Sequence, residues 1–175
     1  MNRGTLSVVC SLLLLASPSC FADAQISFVG IDGEVKNAAF PNAIPVTSVT
    51  MGASVSTSYS TGTLSTGKPV LNEISFTKAR GIASAGLEKA LFSGLHLSKA
   101  QLRITRPGTT NAYLLVTLED VLVKSWQTSV DDSGSAMDSF SIVFARIRTE
   151  DVITNADGTK TNVPAGWDAV KALVY

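Results

Sequence analysis

Apolar and polar side chains alternate along most of this chain with a period of two, and the longest ordered stretch of the pattern runs over residues 73–127. Ile74 and Phe76 alternate with Ser75 and Thr77 in a run ending at Lys78. Leu102 and Ile104 alternate with Gln101, Arg103 and Thr105. Leu114, Val116 and Leu118 share one face of a run reaching Gln127. Each run predicts a strand. Between the first two, Leu87, Ala90 and Leu91 recur at helical spacings of three and four, after Ser84 as a capping residue and before Gly94 as a helix-ending glycine. The stretch therefore reads strand, short helix, hairpin.

The same reading extends to both ends. Residues 25–31 predict a first strand through Ile26 and Phe28, and residues 44–52 a second, rich in β-branched side chains. Residues 37–45 hold Pro41 and Pro45 and read as a loop, and residues 69–78 form the strand that ends in Lys78. Phe140, Ile142 and Phe144 share a face of a strand over 139–149. Arg146 and Arg148 continue its parity, so either the strand twists out to solvent or a bulge shifts the register. Glu119-Asp120 marks a bend or bulge, Asp157-Gly158 a hairpin turn, and residues 163–175 a closing segment with Trp167. Many strands and one helix predict a mainly β fold: an antiparallel barrel or two-sheet sandwich with one short α-helix. Residues 54–67 stand apart, being rich in serine and threonine, uncharged and poor in large apolar groups. They read as a flexible loop, or as a β-arm that orders against a neighbouring subunit.

The N-terminus changes the picture of where this domain works. Arg3, an apolar core over residues 8–16 and the small-x-small triplet Ala22-Asp23-Ala24 have the form of a secretory signal peptide. The cut is expected between Ala24 and Gln25, with a cut after Ala22 as the close alternative. Cys20 follows the apolar core, but Ser17 stands where a lipid-attachment site wants a bulky aliphatic residue, which argues against a lipoprotein. The apolar core is too short for a membrane anchor. Residues 25–175 then form one domain, secreted or periplasmic, and both cysteines, Cys10 and Cys20, fall in the leader. Such a domain holds together by packing or by association with copies of itself. Lysine plus arginine and aspartate plus glutamate are 14 each, so no basic excess points to nucleic acid or to an anionic membrane surface.

Little in the residues suggests chemistry. The single histidine, His96, follows the predicted helix end and reads as structural or exposed. Without cysteine, residues 25–175 have no thiol nucleophile or thiolate metal site. No nucleophile elbow, phosphate-binding loop or dinucleotide fingerprint is present. Asp131, Asp132 and Asp138 lack calcium-loop spacing and read as a solvated turn. Glu119 and Asp120 are neighbours that a regular strand points to opposite faces. Arg103, Arg146 and Arg148 are ordinary strand arginines, and Tyr59, Tyr113 and Trp126 form no stacking platform with basic residues. The reading is of a non-enzymatic protein with no cofactor and no metal.

Three blocks of residues carry a family resemblance. They are Leu71-Asn72-Glu73-Ile74-Ser75-Phe76-Thr77-Lys78, the segment 84–92 with Gly94-Leu95-His96 after it, and the hairpin runs 100–104 and 113–123. The ending Gly166-Trp167-Asp168 adds to them. In this order they resemble the Hcp proteins, ring-forming tube subunits of bacterial type VI secretion. The resemblance implies a β-barrel of two sheets with one helix, six copies in a flat ring, stacked rings, small cargo proteins in the lumen and no catalytic site. It also implies contacts with other secretion-system proteins, and puts residues 54–67 where the family's loop reaches the neighbouring ring. A leader departs from the family pattern, in which tube subunits assemble in the cytoplasm. An exported binding module for a carbohydrate or a surface protein is the alternative, and an exported hydrolase using His96 the third reading.

Overall fold

The computed structural model describes residues 23–175 except 37, 108 and 110. The predicted leader therefore lies outside the described residues up to position 22. Eleven strands and one helix follow in order: β1 (Asp23–Phe28), β2 (Ile44–Val46), β3 (Ser48–Thr50), β4 (Ala53–Ser60), β5 (Thr63–Leu71), β6 (Ile74–Ala79), α1 (Ile82–Ser93), β7 (Leu97–Thr105), β8 (Ala112–Val130), β9 (Ala136–Thr154), β10 (Lys160–Asp168) and β11 (Leu173–Val174). Every strand pairing is antiparallel.

Nine strands make one sheet in the order β11-β10-β9-β8-β7-β1-β2, with β6 joined to β9 and β3 joined to β6. The mainly β, one-helix architecture is as expected, but the sheet is not closed into a barrel. The expected single strand over 44–52 is two short strands that separate at Thr47. β2 pairs with β1, β3 pairs with β6, and the Thr47 N–H donates to the Thr77 carbonyl. The expected strand over 69–78 likewise divides, at Asn72-Glu73, into β5 and β6.

The 19-residue strands β8 and β9 hold the halves together. β9 pairs with β8 over most of its length, with β6 through Met137–Ile142 and with β10 beyond Arg146. The inward face changes parity within this ladder. Val116 and Leu118 are buried before Asp120, Val121 and Val123 after it, and Asp120 itself has a left-handed φ of 54°. On β9, Phe144 and Ile147 both pack on the core, which releases Arg146 to pair with Glu119. The bend at Glu119-Asp120 is as expected, whereas the register slip falls between Val123 and Ser125.

α1 lays Ala83, Leu87 and Ala90 into the core. Gly94 ends it in the left-handed region at φ 60°. Its start differs from expectation: the N-cap is Gly81, and Ser84 sits three residues inside, its Oγ accepting the Gly81 N–H. The first turn carries no acidic side chain of its own. Glu34, from the segment after β1, supplies one by accepting the Ala83 N–H. Gly81 makes room for it, since a Cβ there would lie 2.3 Å from the Glu34 carboxylate. Gly81→Ala is expected to push Glu34 off the helix start and cost about 0.5–2 kcal/mol, the usual worth of a cap. Urea unfolding checks it, and an unchanged midpoint would refute the cross-segment cap.

Candidate assembly surfaces and the buried charge cluster

Residues 53–71 form a two-stranded arm, β4 against β5, in place of the flexible loop expected over 54–67. The turn is Thr61-Gly62 with φ of 46° and 80°, the left-handed pair that a two-residue hairpin requires. All side chains from Ala53 to Val70 are exposed, Tyr59 among the most so. Backbone hydrogen bonds hold the arm, with no core beneath it, and an isolated two-stranded hairpin is marginal in water. At its root lies an apolar cleft of about 300 Å³ whose walls include Met51, Leu71, Ile74, Phe144, Ile147 and Trp167. The Trp167 Nε1 donor is buried there without an acceptor among the described residues.

Large apolar side chains also face solvent outside the arm, most fully on α1 and around β11. Ile82 and Phe92 lie on the outer side of α1, and Val170, Leu173 and Val174 line the chain around β11 at one end of the sheet. On the opposite character, Ser48, Thr50, Ser75, Gln127 and Ser139 line a polar cleft of about 280 Å³ over β3, β6, β9 and β8. Glu73 on its margin pairs with Lys124 at 2.9 Å, and that bond together with one from Ser141 holds its carboxyl below the ordinary glutamate value.

A cluster of charges that the sequence reading missed is buried beneath α1. Lys78 is 1% exposed and Asp138 0% exposed, with Nζ and Oδ2 3.7 Å apart. Asp138 accepts from Ser84 Oγ at 2.6 Å, Thr128 Oγ1 at 2.8 Å and Arg80 Nη1 at 3.2 Å. Lys78 donates to the Ala79 carbonyl and to Ser84 Oγ, and lies 3.8 Å from Glu34. Arg80 also binds Glu88 of α1 at 2.9 Å. Burial by itself would raise the Asp138 pKa. The Ser84 and Thr128 hydrogen bonds and the Lys78 and Arg80 charges outweigh it and hold the carboxyl below its ordinary value. A parity count contained the signal: Lys78 continues the inward positions Ile74 and Phe76, and Asp138 those of Phe140 and Ile142, on strands that pair residue for residue.

The residues weighed for chemistry are dispersed. His96 Nδ1 lies 2.6 Å from Asp120 Oδ1, both exposed. Asp131 accepts from Ser133 and Ser135 within its own turn, which lowers its pKa, while Asp138 is in the buried cluster. Arg146 pairs with Glu119 and Arg148 with Glu150. No group of three or more metal-ligating side chains occurs among the described residues, and none of their helices is long and apolar enough to cross a membrane.

Comparison with known proteins agrees with the resemblance read from the sequence. A family model described as type VI secretion system effector, Hcp, matches residues 26–150. The protein hcp1 of Pseudomonas aeruginosa is 31% identical over 103 residues, a span covering 56% of this chain and 64% of that protein. The fold is shared with a solved type six secretion system protein at a TM-score of 0.80 and 24% identity, over 87% of this chain and 99% of the other. It is shared too with Hcp1 of Salmonella typhimurium at 0.73 and 24% identity, over 88% and 99%. The family match spans β8, most of β9, the helix and the buried cluster, and on it the chain belongs to the Hcp family of type VI secretion system effectors.

Proposed function

We propose that this protein is a non-enzymatic, ring-forming structural subunit of the Hcp type, secreted, with its ring able to stack on others and to hold small cargo proteins. The observation that carries the reading is the β4–β5 arm, an exposed hairpin with no core of its own. Such an arm gains buried surface only against another molecule. The exposed apolar side chains at α1 and around β11 belong to different elements, and a heterologous ring contact needs two different patches. Residues 1–24 act as the export leader, removed between Ala24 and Gln25, so the mature subunit assembles outside the cytoplasm. In sedimentation at high protein concentration the mature chain is expected as a ring of six, with longer stacks. Replacing residues 54–70 by a two-residue turn is expected to leave the ring and its stability intact and abolish the stacks. A strict monomer would sink the ring reading. The hydroxyl-lined cleft near Glu73 favours a second reading, an exported carbohydrate-binding module, which a glycan retained by that monomer would support.

A further inference from the structure

The bond that the leader reading assigns to signal peptidase lies inside the folded sheet. β1 is an internal strand with neighbours on both sides. Ala24 is opposite Val46 of β2 and Ile104 of β7, and Gln25 opposite Pro45 and Arg103. Gln25 is 8% exposed, and Ala24 packs against the core. The Asp23 carbonyl accepts from Thr105 Oγ1, and its carboxylate from Gln25 Nε2. A peptidase must take its substrate as an extended, unpaired segment, and here both edges of that segment are in use. The buried apolar side chains of β1, Ile26 and Phe28, lie beyond the bond. Cleavage therefore removes only the fringe of the strand and leaves a domain able to fold.

We propose that folding closes the Ala24–Gln25 bond to signal peptidase, so that processing reports whether the chain was exported before β1 docked between β2 and β7. Hydrolysis adds one water across the bond, leaving a carboxylate on Ala24 and an ammonium on Gln25. A chain that folds first keeps its leader and stays in the cytoplasm; a chain threaded outward unfolded is cut and then folds. One sequence thus yields two products in two compartments, partitioned by the rate at which β1 docks. This rests on the leader reading given above, and the experiment separates the two.

Full-length chain is made by cell-free translation in detergent, with purified signal peptidase present during synthesis or added after folding, and the products are sequenced from the N-terminus. Peptidase present during synthesis is expected to release chain beginning at Gln25. Peptidase added to folded chain is expected to cut at least about a thousandfold more slowly, the lower end of the folding equilibrium of small domains. A variant with residues 22–25 duplicated ahead of a flexible spacer, so that the cleavable bond precedes β1, is expected to be cut in the folded state at the unfolded rate. Equal cutting of folded and nascent wild-type chain would overturn the gating while keeping the leader. Failure to cut the nascent chain would overturn both. A spacer variant that resists cutting when folded would show that something other than β1 pairing protects the bond, and would also overturn the proposal.

Discussion

Asp138→Ala is expected to lower unfolding stability by about 3–5 kcal/mol, because it strands the ammonium of Lys78 in the interior. Lys78 would retain Glu34 at 3.8 Å and two neutral acceptors, Ala79 O and Ser84 Oγ, with almost no access to water. The reverse removal, Lys78→Met, is expected to cost clearly less. Asp138 would keep Arg80, Ser84 and Thr128, and an apolar side chain of similar length would fill the space. Urea titration of the three proteins is the measurement, and equal losses for the two variants would refute the asymmetry. The same cluster sets a response to acid. The folded pKa of Asp138 is depressed, so its contribution is complete above the unfolded value near 3.9 and drains away as pH falls through the folded value. Asp138→Asn is expected to flatten the acid limb of the stability curve below about pH 4, and an unchanged limb would contradict that assignment.

Phe140→Ala is the second large effect, expected at about 3–5 kcal/mol. Its ring, 2% exposed, stacks on Phe76 at 5.0 Å between centroids and on Trp126 at 6.2 Å, with Phe28 tilted against it at 6.5 Å. These four residues come from β6, β8, β9 and β1, so one truncation opens a cavity where the two halves of the sheet meet. Measured against a typical total of about 5–15 kcal/mol, the loss is a large fraction of the stability. Phe140→Leu is expected to recover more than half of it by keeping the site filled. Denaturant midpoints would decide, and a loss under about 1 kcal/mol for Phe140→Ala would mean that the aromatic cluster is not the join.

The sequence by itself determined the kind of fold. Period-two alternation placed the strands around Phe76, Leu102, Val116 and Phe140, and three-four spacing placed one helix with Gly94 at its end, because these signals depend only on neighbours along the chain. The ordered blocks from Leu71 to Val123 also carried the family, and the family match over 26–150 covers them. What depended on distant residues was decided by the tertiary structure. The run over 44–52 divides into two strands because Thr47 bonds to Thr77, 30 residues away. The serine-threonine segment became an arm through turn geometry at Thr61-Gly62 and backbone pairing, although its side chains bury nothing. Ser84 lost the cap to Gly81 because Glu34 reaches in from another segment. Lys78 and Asp138 are tolerated inside only because three other segments bring Ser84, Thr128 and Glu34 to them, with Arg80 added from just beyond β6. Alternation along a strand says which side chains turn inward; only the assembled sheet says whether an inward charge finds its partner.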